Sequence, residues 1–193
     1  MPRVKLFNKN EALKRATDLF WKKGFFATSI QDLVSALGIS RSSLYDTFGG
    51  KKALFNSTLE NYCSSNIEAT KVFLEQQTSV KQGFYTLFEM LISESTSDID
   101  RKGCFVVNTT TELASKDSDI RKKLENNKST FENMFYEFLL TGQKSGEISK
   151  DKDIKAISSL IYTFVSGIKV VTKVEPNKDS LLSSAKIILS LLD

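Results

Sequence analysis

Histidine is absent from the 193-residue sequence, and cysteine occurs only twice, at Cys63 and Cys104. Without imidazole the chain has no Ser-His-Asp triad, no Cys/His zinc site and no histidine acid–base catalyst. It also lacks the glycine-rich sequences GxGxxG and GxxxxGK[ST] that bind nucleotide phosphates. These absences disfavour an enzyme, and we predict no catalytic residue, no metal and no cofactor.

Proline and glycine are also scarce, with two and nine residues. Because turn-rich β folds need many of both, their scarcity predicts long helices. Hydrophobic residues make up 40% of the chain and include 14 Phe, enough to bury a sizeable core. The longest apolar run, residues 160–171, is interrupted by polar residues and is too short to cross a bilayer. There is no charged-then-apolar leader, so we expect a cytoplasmic protein with no membrane partner.

The net charge of +4 is unevenly distributed. Residues 1–60 contain ten Lys/Arg and five Asp/Glu, which gives them a net charge of +5, whereas the remainder has a net charge of −1. A basic end on a nearly neutral chain favours contact with phosphates at that end. Arg3 and Lys5 lie in a short N-terminal arm that either reaches the DNA or plays no part in binding.

Residues 28–55, TSIQDLVSALGISRSSLYDTFGGKKALF, predict a helix, a tight turn, a second helix, a glycine break and a third helix. Thr28 is a candidate cap for the first helix, with Gln31 in the capping-box position. Gly38 falls where a left-handed backbone ends a helix, and Ser40 can cap the next one. This arrangement predicts a helix-turn-helix, although a plain αα-hairpin inside a bundle is the alternative.

The second helix of this motif would bury Leu44 and Phe48 and expose a polar, hydroxyl-rich face, which suits the DNA major groove. Arg41 is the best candidate for direct readout, because arginine makes a bidentate contact with guanine. The predicted base-edge contacts are Arg41, Ser42, Ser43 and Thr47. The predicted phosphate contacts are Thr28, Ser29, Gln31, Tyr45 and Lys51.

The sequence SLYDTFGGKKALF, preceded by LGISR, closely resembles the signature of the TetR/AcrR (tetracycline-repressor-like) transcriptional regulators. Many members carry a histidine where this chain has Thr47. The resemblance is specific over about Asn8 to Tyr62. It implies an all-α fold with a three-helix DNA-binding head over residues 1–50. A helical ligand-binding and dimerisation body would follow over residues 51–193, its connecting helix beginning at residue 51.

The resemblance also implies a homodimer that binds a palindromic double-stranded operator, with the last two helices of each copy forming a four-helix bundle. Those helices carry more apolar residues than one buried face needs, although they could instead close the core of a monomer. Helical spacing predicts the body helices at about 51–76, 80–95, 104–115, 117–144, 152–173 and 180–192. Residues 104–107 have β-like composition, but an isolated strand is unstable, so we predict a helix there.

An aromatic cluster in the body either fills the core or lines an apolar ligand pocket. The polar residues Asn108, Thr109 and Glu112 lie among these aromatic positions and favour a pocket, because buried polar atoms need partners. A carboxylate there would select a hydrophobic ligand with a hydrogen-bond donor or a positive charge. Alternatively, Glu112 pairs with a surface cation. The predicted ligand-binding residues are Phe88, Phe105, Asn108, Thr109, Glu112, Phe131, Phe135 and Tyr162.

These patterns together predict a transcriptional repressor that a small-molecule effector releases from DNA by favouring a different arrangement of the heads. Two alternatives remain open at the level of sequence. One is a helical ligand carrier or enzyme that does not bind DNA. The other is a DNA-binding regulator that works without a ligand, as an activator or through its two cysteines.

Overall fold

A computed structural model describes residues 7–193, and over those residues the chain is helical with no strand, which confirms the predicted all-α class. The N-terminal arm with Arg3 and Lys5 lies outside the described residues. The helices are α1 Lys9–Lys23, α2 Ile30–Leu37, α3 Arg41–Phe48, α4 Lys51–Glu75, α5 Val80–Ser97, α6 Phe105–Leu113, α7 Ser118–Ser145, α8 Ile154–Val174 and α9 Lys178–Leu189, followed by a 3₁₀ turn at Ser190–Leu192.

Glycines end the two short helices of the head, which comprises α1, α2 and α3. Gly38 after α2 and Gly49 after α3 have φ values of 65° and 78°, the left-handed conformation that a side chain would disfavour. Ser40 caps α3, since its Oγ accepts the N–H of Ser43 at 3.1 Å. The predicted helix-turn-helix is therefore present, with the predicted stop and start signals.

The predicted cap of α2 is wrong by one residue. Ser29, not Thr28, is the N-cap, and its partner is Asp32 rather than Gln31. Ser29 Oγ accepts the N–H of Asp32 at 3.0 Å, while Asp32 Oδ2 accepts the N–H of Ser29 at 2.8 Å. Thr28 is fully buried, and its hydroxyl donates to the carbonyl oxygen of Gly24 at 2.6 Å.

The ambiguous segment forms helix α6, as predicted. Its β-branched residues do not prevent the helix, because Phe105, Val106 and Leu113 fall on one face and are buried. Cys104 occupies the N-cap position without making a side-chain capping hydrogen bond. This face packs towards the head, so α6 belongs to the same hydrophobic core as α1 to α3.

The core around the head, here called the proximal core, combines residues from α1 to α3, the first half of α4, α6 and the start of α7. Phe55 on α4 lies at its centre and makes edge-to-face contacts with Phe20, Phe25 and Phe105 at centroid distances of 5.0, 5.0 and 5.6 Å. Since Phe105 comes from the body, the proposed domain division at residue 50 does not coincide with a boundary in packing.

A second core, here called the distal core, joins the end of α4 to α5, α7, α8 and α9. Helix α8 is long and apolar enough to cross a membrane by length and composition, with a mean hydropathy of 1.5, and 28% of that window is buried in the single chain. The apolar side chains left in solvent on α8 and the C-terminal segment, here called the open face, are Leu160, Val170, Val171, Val174, Ile187 and Leu191.

Candidate nucleic-acid interface and effector cavity

Helix α3 presents a polar surface held in place by two apolar anchors. Leu44 is fully buried and Phe48 nearly so, which fixes the helix against the proximal core. Arg41, Ser42 and Tyr45 are exposed, so they lie on the face expected to meet DNA. The other two predicted base-edge contacts, Ser43 and Thr47, are half-buried at the borders of this face.

The serines at the start of α3 are already engaged with one another. Ser40 Oγ lies 2.9 Å from the hydroxyl oxygens of both Ser42 and Ser43, in addition to capping the helix. Arg41 is different, because its guanidinium carbon lies 5.9 Å from the ring centroid of Tyr45 and the residue is exposed. Arg41, the residue predicted to read a base edge, therefore has its guanidinium on the exposed face of α3, beside the ring of Tyr45.

The predicted phosphate contacts differ in their exposure and in the hydrogen bonds that they already make. Thr28 is buried and its hydroxyl is occupied, so its prediction as a phosphate contact is wrong. Ser29 and Gln31 are exposed at the start of α2, although the Ser29 hydroxyl takes part in the capping box. Tyr45 is 46% exposed, and its ring lies close to Gly50, where a Cβ would come within 3.0 Å of it.

Lys51 begins α4, whose N-cap is Gly50 and which has no side-chain capping hydrogen bond. A helix start of this kind directs backbone N–H groups and a positive dipole at an anion. The Lys51 ammonium lies 4.4 Å from the ring centroid of Phe25 and is half-buried. Burial lowers the pKa of Lys51, opposed by the nearby carboxylates of Glu112 and Asp32.

Other cations near the head, on α1 and at the start of α4, are paired within the chain. Lys23 Nζ lies 3.0 Å from Asp32 Oδ1, and Lys52 Nζ lies 2.8 Å from Asp117 Oδ2 on the N-cap of α7. The pKa of Asp32 is lowered to about 2, first by the backbone hydrogen bond from Ser29 and then by Lys23. Part of the positive charge of residues 1–60 is therefore paired within the chain: Lys23 joins α1 to α2, and Lys52 joins α4 to α7.

Glu112 does not face the aromatic cluster, and its predicted role as a ligand-pocket carboxylate is wrong. Its Oε2 accepts the N–H of Phe25 at 2.9 Å, and its Oε1 accepts the N–H of Phe26 at 2.8 Å. Both amides belong to the turn between α1 and α2, so this carboxylate connects the body helix α6 to the head. The alternative prediction, a surface ion pair, does not describe these bonds either.

Three of the predicted ligand residues, Phe131, Phe135 and Tyr162, line one cavity of about 130 Å³ between α4, α5, α6, α7 and α8. We call it the aromatic cavity. Its other walls include the apolar residues Leu87 and Leu91.

The remaining predicted ligand residues lie elsewhere. Phe88 is buried in the distal core against Phe164, at a centroid distance of 5.2 Å, and Phe105 is buried in the proximal core. Asn108 donates to the carbonyl oxygen of Lys102 at 2.8 Å and accepts from Lys173 Nζ at 3.1 Å. Thr109 is buried outside the cavity lining, with no hydrogen-bond partner for its hydroxyl within residues 7–193.

Several polar residues of the aromatic cavity were not predicted from the sequence. They include Tyr62, Asn66, Glu94, Asn127 and Lys169. Asn127 is 6% exposed, and its side-chain oxygen lacks a partner in the described part of the chain. The available signal for Lys169 was that it is the one charged residue in the apolar run of residues 160–171, where a charge needs a specific partner.

The two cysteines lie near this cavity. The hydroxyl of Tyr62 donates to Cys104 Sγ at 3.7 Å, and burial raises the pKa of Tyr62 above its usual range. Burial also raises the pKa of the Cys63 thiol to about 11, with the neighbouring Cys104 as a second cause. Cys63 is therefore a neutral thiol at physiological pH, which makes it a weak nucleophile.

Known proteins match the chain over both parts of the fold. Residues 12–58 match the family described as "Bacterial regulatory proteins, tetR family", and residues 84–186 match "Tetracyclin repressor-like, C-terminal domain". The HTH-type transcriptional regulator YezE of Bacillus subtilis (strain 168) is 32% identical over 194 residues, covering 100% of both chains. The HTH-type transcriptional repressor ComR of Escherichia coli (strain K12) is 30% identical, over 98% of this chain and 90% of ComR.

A solved structure shares the whole architecture. The regulator CifR, as a cysteine mutant complexed with 26-bp double-strand operator DNA, superimposes with a TM-score of 0.87 at 26% identity. The match covers 97% of this chain and 98% of CifR. Both parts of the fold therefore have the same arrangement as a protein that was solved on DNA.

Proposed function

Because the chain belongs to the TetR family and is a DNA-binding transcriptional regulator, we propose that it represses transcription from a palindromic operator until a small hydrophobic ligand releases it. ComR is named a transcriptional repressor, which supports repression rather than activation. CifR was solved on double-strand operator DNA, which supports an operator as the DNA site. The site of action of such a regulator is the cytoplasm.

The observation that carries this proposal is the surface of α3. The helix is anchored by Leu44 and Phe48, ends in a left-handed glycine, and leaves Arg41, Ser42 and Tyr45 in solvent. A major groove needs a helix of this kind.

The test begins with an operator selected from random duplexes by the purified protein. Arginine supplies a bidentate contact with guanine. In Arg41→Ala the difference in binding free energy between the preferred and the other bases, at one base pair of each half-site, should therefore fall by about 1–3 kcal/mol. Arg121→Ala, an exposed arginine on α7, is the matched control and should bind like the parent. Fluorescence anisotropy with single-base operator variants measures the difference. Equal discrimination by Arg41→Ala and the parent would contradict the assignment of α3 as the reading helix.

The open face supports the dimer. One helix-turn-helix contacts too few bases to select a site in a genome, and a two-fold dimer supplies the second half-site about 34–36 Å away. Leu160 and Val174 on α8 and Ile187 on α9 are 40%, 78% and 70% exposed in the single chain. A second copy that covers them would bury apolar surface and place two heads on one duplex.

The aromatic cavity supports release by a ligand. It lies between α4, which connects to the head, and α5 to α8 of the body. Tyr62 lines the cavity and also contacts Trp21 of α1, at a centroid distance of 5.1 Å. A ligand that changes the position of α4 or Tyr62 therefore has a short route to the head, and its differential affinity for the two arrangements would set the extent of release.

A further inference from the structure

Lys169 is a largely buried cation in the wall of the aromatic cavity. Its side chain is 13% exposed, and its Nζ pairs with Glu94 Oε2 at 2.7 Å. Glu94 itself is 70% exposed. The pair is unequal, because Glu94 can turn into water at little cost, whereas Lys169 would lose its carboxylate partner while remaining largely buried.

A second space meets the aromatic cavity at this ion pair. It has a volume of about 240 Å³ and shares Tyr62, Glu94 and Lys169 with the aromatic cavity. Trp21 also lines it, and the indole Nε1 is buried with no hydrogen-bond partner in the described part of the chain. The junction between the two spaces therefore offers the Lys169 ammonium, with an unsatisfied indole N–H nearby, while the phenolic O–H of Tyr62 donates to Cys104.

The aromatic cavity is small and mainly apolar away from this junction. Phe131, Phe135 and Tyr162 form its aromatic walls, and its volume of about 130 Å³ is similar to that of a cavity that holds benzene. One aromatic ring or a short aliphatic chain therefore fits it. A longer body would extend through the junction into the second space.

We propose that this site takes a small apolar monocarboxylate, with its ring or short chain in the aromatic cavity and its carboxylate on Lys169 in place of Glu94. This inference rests on the proposed release by a ligand and specifies its chemistry. A cationic ligand would instead have to pair with Glu94 and leave the buried ammonium of Lys169 without an anion. The charge preference is thus opposite to the one predicted when Glu112 was placed in the pocket.

The experiment compares benzoate with two molecules of similar shape, neutral benzyl alcohol and cationic benzylamine. Trp21 is the single tryptophan of the chain, so its indole N–H gives one resonance in a ¹H–¹⁵N spectrum and reports directly on the junction. Benzoate should shift this resonance at lower concentration than benzyl alcohol, and benzylamine should bind least well. The titration uses the full-length protein without DNA.

Lys169→Gln should weaken benzoate binding by roughly 10- to 100-fold, the range for losing a charge-assisted hydrogen bond, and should affect benzyl alcohol much less. Glu94→Gln should strengthen benzoate binding, because it removes the competing carboxylate. Lys173→Gln changes the same charge one helical turn later, where the ammonium contacts Asn108, and should bind benzoate like the parent.

Three results would overturn the inference: no binding of benzoate at millimolar concentration, equal benzoate binding by the parent and Lys169→Gln, or tighter binding of benzylamine than of benzoate. Operator binding without any ligand is measured in parallel. If operator binding is intact while benzoate fails, the inference is wrong and the DNA-binding regulator stands. If operator binding is absent, the proposed function fails whatever benzoate does.

Discussion

The proximal and distal cores differ in how completely one chain closes them. In the proximal core, aromatic rings from the head and the body surround Phe55, and the helices that contribute them cover one another. In the distal core, α8 buries Ile161 and Ile168 on one side but leaves Leu160 and Val174 exposed on the other. The first core is complete in a monomer, whereas the second has an apolar surface suited to another chain. The link between head and body is therefore built within each chain, and the spacing between two heads would be set where two chains meet.

The largest expected effect comes from opening the proximal core. Phe55→Ala should lower the free energy of unfolding by about 3–5 kcal/mol, because a fully buried ring is lost and a cavity remains. Since one chain closes this core, the loss should not depend on protein concentration. Urea unfolding at two concentrations measures both points. A loss that disappears at high concentration would show that a partner chain helps to close the proximal core.

The next effect comes from a charge on the open face. Leu160→Glu should weaken self-association by about 100-fold or more, because an unpaired carboxylate would be buried between two copies. Val72→Glu is the matched control, since Val72 is 42% exposed on α4, away from α8 and α9. Sedimentation velocity over a concentration series distinguishes the two variants. A parent protein that sediments as a monomer at micromolar concentration would refute the two-chain account of the distal core.

A smaller effect should follow from changing the link between head and body. Glu112→Gln should lower the free energy of unfolding by about 1–2 kcal/mol, because a neutral amide has one oxygen to accept hydrogen bonds where the carboxylate has two. Amide exchange at Phe25 and Phe26 should become faster, since these N–H groups donate to Glu112.

Glu147→Gln provides the matched control for that change. Glu147 accepts the N–H groups of Val80 and Lys81 at the start of α5, within the body. Its substitution should lower stability by a similar amount while leaving exchange at Phe25 and Phe26 as in the parent. If both variants affected those two amides equally, Glu112 would have no specific role in joining head to body.

The smallest expected effect is the acid sensitivity of the head. Folding lowers the pKa of Asp32 from 3.8 to about 2, so this carboxylate stabilises the folded chain above pH 4 and loses that contribution as the pH falls towards 2. Thermal unfolding of the parent and of Asp32→Asn from pH 5 to pH 2 isolates the contribution. The stability difference between the two proteins should shrink as the pH falls through this window. A difference that stays constant would show that the capping box of α2 is not linked to this titration.

The helices could be predicted from the sequence because their signals are local. Ser40, Gly38 and Gly49 act within their own turns, and the structure places each of them at the helix end expected. The cap of α2 was misplaced because Thr28 and Ser29 are adjacent and both suitable. Burial of the threonine methyl in the core, which is a tertiary effect, left the cap to Ser29.

The aromatic cavity, which is the proposed ligand site, was harder to predict because its residues come from five helices. Aromatic spacing along α7 identified Phe131 and Phe135, which share one face. Glu112 and Asn108 were misassigned because helical spacing gives the relative positions of two side chains and not the neighbour that they face. Lys169 could be assigned only after α5 and α8 had been placed side by side, which brings Glu94 to it.

Glu112 recognises the head through the main chain alone, since both of its partners are backbone N–H groups in the turn after α1. Every amino acid except proline carries that donor, so the two hydrogen bonds themselves do not depend on the side chains at positions 25 and 26. A head with a new recognition helix could therefore keep these two hydrogen bonds, provided that it also keeps the rings of Phe20 and Phe25 that pack against Phe55 in the proximal core. Proline at either position is the one replacement that would remove a donor, and this sets a simple rule for exchanging heads between bodies.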